Sequence, residues 1–166
     1  MGIHLFRTPF HLILGLGLCW IVPAQGVQSF AIFETRTPVG AVSGRIYDKR
    51  INVTISLDAQ PLINGQVDPS YNDKKIDLYL LNARDNSGVL DSDTKCRSTW
   101  SEVALVASMI FHLEGRKNFT FTYATSIPSA RIKVKDVNHD VGCSNDSFAI
   151  LDTPPSSPYT YPHEND

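Results

Sequence analysis

Hydrophobic and polar residues alternate with a period of two along most of the chain after residue 26. The alternation is clearest in four segments: Ile51–Leu57, Ile76–Leu80, Asn118–Tyr123 and Arg131–Lys135. Because successive side chains of a strand point to opposite faces of a sheet, this pattern predicts half-buried β-strands. A short strand is also predicted over 148–150, and edge strands are predicted over 30–34 and 44–47.

Residues 103–113 form a long apolar run whose spacing permits two structures. Val103, Val106 and Ile110 would lie on one face of a helix. The β-branched and aromatic content of the run is more typical of a strand. We therefore favour a strand and keep the helix as the alternative.

Strong turn sequences separate the predicted strands. Asn64-Gly65, residues 85–88 and residues 138–140 are turn-forming, while residues 58–75 and 86–101 resemble long loops. No segment has convincing helix caps. The pattern predicts an all-β protein, an immunoglobulin-like antiparallel β-sandwich of about seven to eight strands.

The alternation also predicts which side chains share the buried face. The inward positions are Phe119, Phe121, Tyr123, Ile132, Val134, Phe148 and Ile150, and the outward positions are Thr120, Thr122, Arg131, Lys133 and Lys135. A slip of one residue would reverse every assignment in a strand.

Residues 1–26 have the features of a secretory signal peptide. Arg7 precedes an apolar run over 10–22, and Ala24 and Gly26 supply small residues at the −3 and −1 positions of a cleavage site. The run has only 13 residues, whereas spanning a bilayer takes roughly 20. This favours cleavage over the alternative, a retained signal anchor.

Cleavage after Gly26 would leave 166 − 26 = 140 residues and change the net charge from −2 to −3. A single domain is expected over 27–152, followed by a Pro-rich disordered tail over 153–166. The mature protein is expected to be secreted and extracellular, with no membrane segment. Association with a cell wall is a further hypothesis.

Composition narrows the classes of partner. The chain is 42% apolar and 19% charged, with 15 Lys and Arg against 17 Asp and Glu, which suits one ordinary globular domain. The absence of a dense basic run argues against nucleic acid as a partner. The protein is expected to be a monomer.

Two cysteines, Cys96 and Cys143, remain after Cys19 leaves with the signal peptide. An even number of cysteines in an oxidising compartment predicts a structural disulfide. The alternatives are a metal pair and a catalytic thiol. The spacing is unlike that of a zinc site, and a nucleophilic cysteine would be expected to be unpaired.

Three Asn-x-Ser/Thr sequons predict N-glycosylation of Asn52, Asn118 and Asn145. Asn52 and Asn118 occupy the polar positions of alternating segments, so their side chains are expected to point to water. Some sequons can remain unused.

The second half of the chain contains an ordered set of strand motifs: Lys75–Leu81, Thr120–Ala130, Arg131–Asp136 and Phe148–Ile150. This order resembles the Ig-like domain of the fungal Ser/Thr-rich, GPI-anchored surface proteins and of related secreted proteins of cell-wall β-1,6-glucan assembly. The resemblance implies an immunoglobulin-like fold and a location at a cell wall.

No catalytic or metal-binding motif stands out. Beyond residue 26 the histidines are His112, His139 and His163, and nothing combines them into a Ser-His-Asp arrangement. Residues 136–140 begin like a calcium loop, but Val141 and Ser147 replace its glycine and its glutamate. An ordinary turn is the better interpretation, and no metal or cofactor is expected.

Two functional hypotheses remain. The first is a non-enzymatic, glycosylated β-sandwich module that interacts with extracellular polysaccharide or a surface protein. The second is a small secreted hydrolase, inhibitor or effector with its site on loops 58–75 and 86–101. Exposed aromatic side chains that could stack on a glycan would be Tyr71, Tyr79 and Trp100.

Overall fold

The computed structural model describes residues 29–38, 40–68, 70–112, 115–136 and 139–153, with only the backbone described at residues 139 and 140. The predicted signal peptide and residues 154–166 of the predicted tail lie outside these ranges. The described residues contain ten strands and no helix: β1 (Ser29–Glu34), β2 (Lys49–Arg50), β3 (Ile55–Ile63), β4 (Gln66–Val67), β5 (Lys75–Asn82), β6 (Ser101–Ile110), β7 (Lys117–Phe121), β8 (Ile127–Asp136), β9 (His139–Cys143) and β10 (Phe148–Leu151). The all-β prediction is confirmed.

The strands form two sheets. In the first, β3 is central: β1 pairs with one of its edges, and β4 and β7 pair with the other. In the second, the order is β2-β10-β8-β5-β6, and β9 pairs with the same edge of β8 as β10 does. All pairs are antiparallel except β2 with β10.

The two sheets share one hydrophobic core. Ile32, Leu57 and Phe119 from the first sheet belong to the same buried cluster as Leu80 and Ile132 from the second. Burying apolar side chains from both sheets at once is what holds a β-sandwich together.

The predicted inward face is largely confirmed. Six of its members are buried: Phe119, Phe121, Ile132, Val134, Phe148 and Ile150. Tyr123 lies just beyond β7 and is half-buried against the core. Thr120 and Thr122 are exposed, as predicted.

The outward lysines and arginine of β8 are half-buried rather than free in solvent. Lys135 lies over the ring of Tyr79, and Lys133 and Lys135 both pair with Glu102. Long cationic side chains can cover apolar surface while their charged ends stay solvated or paired.

Strand boundaries differ from the predictions in several places. The strand predicted over 118–123 is β7, which ends at Phe121, and residues 139 and 140 of the predicted turn belong to β9. Asn52 lies in a turn before β3, so the strand predicted over 51–57 begins only at Ile55. Residues 58–63 continue that strand rather than forming a loop. Residues 44–47 form no strand, although the carbonyl of Arg45 accepts a hydrogen bond from the backbone of Glu34.

The turn at Asn64-Gly65 is confirmed, and the strand favoured for residues 103–113 is present as β6, which covers 101–110. Asn64 and Gly65 have φ values of 51° and 73°, and they connect the paired residues Ile63 and Gln66. A two-residue hairpin loop with both φ values positive favours this dipeptide. Because β6 pairs along β5, the helical alternative for residues 103–113 is wrong over its described part.

Candidate functional site

The disulfide between Cys96 and Cys143 is present, with the two Cα atoms 5.2 Å apart. It joins the loop before β6 to the end of β9. Next to it, the backbone of Cys143 donates a hydrogen bond of 2.7 Å to the carbonyl of Thr94. A Cβ atom on Gly142 would lie 3.0 Å from that same carbonyl oxygen, so a glycine allows the loop to approach β9 closely.

The loop that the disulfide anchors forms one wall of an open cleft of about 450 Å³. We call this the basic cleft. It is lined by Asn86, Leu90, Lys95, Arg97, Trp100, Arg131, Ser144 and Asn145. Its volume is within the range of small-ligand sites. The opposite wall is the turn between β9 and β10.

Internal hydrogen bonds hold the loop in shape. The carboxylate of Asp91 accepts hydrogen bonds from the backbones of Asp93 and Thr94 and from the Thr94 hydroxyl. These hydrogen bonds stabilise the ionised carboxylate and so lower the pKa of Asp91, and the bonds from Thr94 have the largest effect. Trp100 Nε1 donates to Asn86 Oδ1 at 3.1 Å, which connects the two ends of the loop.

Arg131 of β8 forms the floor of the basic cleft. Its Nη1 atom donates to the carbonyl oxygens of Ser144 and Asn145, and its guanidinium carbon lies 4.7 Å from the ring centre of Trp100. Burial lowers the pKa of Arg131. The positive charge of Arg97 lowers it as well, while Asp146 acts in the opposite direction.

The three predicted glycosylation sites have different surroundings. Asn52 is exposed in a turn, in the left-handed region with φ of 57°. Asn145 is exposed and lines the basic cleft, so a glycan there would begin at the rim of that cleft.

Asn118 lies on the outer face of the first sheet, and its side-chain nitrogen is surrounded by acceptors. Nδ2 is 2.9 Å from Asp58 Oδ1, 3.1 Å from the carbonyl of Leu57, 2.9 Å from Thr35 Oγ1 and 3.0 Å from Ser56 Oγ. A glycan on this nitrogen would replace one of its two hydrogens and leave one donor for these acceptors.

The carboxylate of Asp58 links Asn118 to a covering segment. Asp58 is buried, and its Oδ2 accepts a hydrogen bond of 2.5 Å from Arg116 Nε. The guanidinium of Arg116 also lies over the ring of Phe33 and donates to the carbonyls of Thr35 and Thr37. This cluster fastens residues 35–38 over the outer face of the sheet.

A histidine–aspartate pair occurs elsewhere on the surface. His112 Nδ1 lies 3.0 Å from Asp73 Oδ1, and their side chains are 60% and 74% exposed. Neither residue lines the basic cleft or any of three further clefts, which lie around Val42, Arg45 and Arg84. In this position the two side chains form an exposed surface contact.

In the described ranges no three His, Cys, Asp or Glu side chains are grouped closely enough to hold a metal ion. The segment that begins like a calcium loop is the β8–β9 hairpin, in which Asp136 pairs with His139. Over the same part of the chain there is no helix long and apolar enough to cross a membrane.

Of the three candidate aromatic residues, only Trp100 belongs to the basic cleft. Tyr71 is buried in the core against Phe30 and Phe111, so the expectation that it is exposed is wrong. The sequence reasoning missed Arg97 and Arg131. Arg97 follows Cys96 in the sequence, and Arg131 contacts Ser144, which follows Cys143. The predicted disulfide between the two cysteines was the one signal that could have indicated that these arginines lie close together.

Comparison with known proteins leaves the family open: no family model matches the sequence, and neither the curated proteins nor the solved structures contain a significant match.

Proposed function

We propose that this protein is a secreted, N-glycosylated module that binds an extracellular polysaccharide or a surface protein and catalyses no reaction. The observation that carries this proposal is the basic cleft, an open surface site built on a loop that a disulfide fastens to the sandwich. Rigid scaffolds that present loops are common binding platforms. Secretion also fits a protein that depends on a disulfide.

The groups in the cleft suit binding better than bond cleavage. Its titratable side chains are the three cations Lys95, Arg97 and Arg131. General acid–base catalysis calls for a group that gains and loses a proton near neutral pH, such as a histidine or a carboxyl group of raised pKa. Lysine and arginine side chains normally stay protonated there.

The alternative of a hydrolase, inhibitor or effector has less support. It placed a site on loops 58–75 and 86–101, but residues 58–63 are part of β3. Only the second loop takes part in the basic cleft. An immunoglobulin-like topology and a relationship to the fungal cell-wall proteins remain part of the proposal, and they rest on the sequence motifs.

A pulldown tests this function. The secreted chain is mixed with insoluble extracellular polysaccharides, and the protein left in solution is measured. We expect depletion by at least one polysaccharide and a weaker effect for Trp100→Ala. Tyr47→Ala is the matched control, because Tyr47 is an exposed aromatic residue outside the basic cleft. If every polysaccharide leaves the protein in solution, the polysaccharide-binding proposal is wrong.

A further inference from the structure

We propose that the basic cleft recognises an acidic saccharide, with an oxyanion of the sugar held between Arg97 and Arg131. This inference rests on the proposed function and specifies the chemistry of its ligand. The oxyanion is a carboxylate or a sulfate ester. A carboxylate is planar and a sulfate is tetrahedral, but each offers two oxygen atoms that can accept hydrogen bonds from the same guanidinium.

Charge is the first reason. The lining of the cleft includes Lys95, Arg97 and Arg131 and no acidic side chain. The whole chain carries a net charge of −2, so this cluster is a local reversal of the overall sign. A concave site lined by one sign of charge concentrates ligands of the opposite sign.

Unused hydrogen-bond donors are the second reason. Arg131 uses Nη1 to bind two carbonyls, and Arg97 uses Nη1 to bind the carbonyl of Gly88 at 2.7 Å. Within the described residues, Nε and Nη2 of both arginines donate to no other group. These are the atoms with which a guanidinium binds a carboxylate or sulfate in a two-pronged manner.

Both arginines are half-buried, so the charge of each is weakly screened. An anion bound between them would be attracted by both charges, whereas a neutral ligand would not. The carbonyl bonds of both side chains hold them in place before any ligand arrives, which reduces the entropy cost of binding.

The neighbouring groups favour a saccharide as the carrier of the charge. Trp100 lines the same cleft and is fixed by its hydrogen bond to Asn86 and by the guanidinium of Arg131. An aromatic ring can pack against the C–H face of a sugar. The exposed side chains of Asn86 and Asn145 add polar atoms near the position where sugar hydroxyls would lie.

Isothermal titration with defined probes tests the proposal. The probes are an oligogalacturonate, its methyl-ester form, a sulfated oligosaccharide and inorganic sulfate. The full secreted chain is compared with Arg97→Gln and Lys95→Gln, and Arg50→Gln is the control because Arg50 is exposed and lies outside the basic cleft. Ser147→Ala removes the sequon of Asn145 and keeps the Asn145 side chain in the cleft.

We expect the wild type and Ser147→Ala to bind an acidic oligosaccharide, and to bind the methyl ester and inorganic sulfate at least tenfold more weakly. Arg97→Gln should weaken binding of the acidic oligosaccharide by about tenfold or more, because a hydrogen bond to a charged group is lost. Lys95→Gln should weaken it less, and Arg50→Gln should leave it unchanged. Near-ultraviolet circular dichroism checks that each variant is folded.

Three results would overturn the inference and are distinguishable from one another. Equal affinity for the acid and its methyl ester would show that the saccharide binds without help from its negative charge, so the role of the oxyanion would be wrong. If inorganic sulfate bound as tightly as the oligosaccharide, the cleft would recognise the anion alone, and the role of the saccharide would be wrong. Failure of every oligosaccharide to bind would contradict both this inference and the polysaccharide form of the proposed function.

Discussion

Asn118 offers a test that separates the structural role of a side chain from its role as a glycan acceptor. Asn118→Ala removes the amide that lies 2.9 Å from Asp58 Oδ1. Thr120→Ala leaves that amide in place but destroys the same sequon. Both variants lose any glycan at residue 118, so a difference between them reports on the amide alone.

The expected magnitude follows from the surroundings of Asp58. This carboxylate is only 5% exposed, and Asn118 and Arg116 are the donors to its two oxygens. Losing a hydrogen bond to a charged, buried group costs about 1.5–3 kcal/mol. Thr120 is exposed, and changing an exposed residue usually alters the free energy of unfolding by less than about 0.5 kcal/mol.

Urea denaturation at neutral pH, followed by tryptophan fluorescence, measures both values. We expect Asn118→Ala to be less stable than Thr120→Ala by at least about 1 kcal/mol. Equal stabilities of the two variants would refute the reasoning, since the glycan or the backbone would then dominate.

Four further variants test the rest of the fold. Cys96→Ser should lower the free energy of unfolding by up to about 4 kcal/mol, because the disulfide closes a loop with a sequence separation of 47; an unchanged urea midpoint would contradict this. Phe121→Ala should cost about 3–5 kcal/mol as a core truncation, and Lys133→Ala about 1 kcal/mol or less, so similar costs in urea unfolding would mean that the register is wrong. Burial, with Asp136 nearby, raises the pKa of Tyr71 above its ordinary value of 10.0, so the folded state loses stability as the pH rises above that value. Tyr71→Phe should make this decline shallower in stability measurements from pH 9 to pH 11, and an identical pH profile would count against it.

Local patterns were enough to predict which face of β7, β8 and β10 is buried. The alternation around Phe119 and Phe121 and around Ile132 and Val134 fixes which side chains point inward, because a strand has only two faces. The dipeptide Asn64-Gly65 is a strong hairpin sequence for the same local reason.

Features that depend on the pairing of distant segments could not be read from the sequence in this way. The prediction of a loop over residues 58–75 is wrong for residues 58–63, where the polar residues Asp58 and Gln60 are buried within β3. Asp58 accepts a hydrogen bond from Arg116, and Gln60 donates one to the carbonyl of Ala41. The prediction that Tyr71 is exposed is wrong because its ring packs against Phe30 and Phe111, which are distant from it in sequence.

The basic cleft shows the same limit at the level of function. Arg97 and Arg131 are separated by more than 30 positions, and no local pattern connects them. The disulfide was predictable from compartment and cysteine number, but the charged residues that it brings together depend on the β8–β9 register and on the shape of the loop.

The most direct test of the proposed binding site is a chemical-shift map of the ¹⁵N-labelled, disulfide-bonded protein titrated with an oligogalacturonate. The proposal predicts the largest shifts at the backbone amides of Lys95, Arg97 and Asn145 and at the indole N–H of Trp100, with β1 and β3 unaffected. Shifts confined to another surface, such as the exposed edge of β6 around Leu105, would contradict the site. The absence of any shift at saturating oligosaccharide would contradict binding itself.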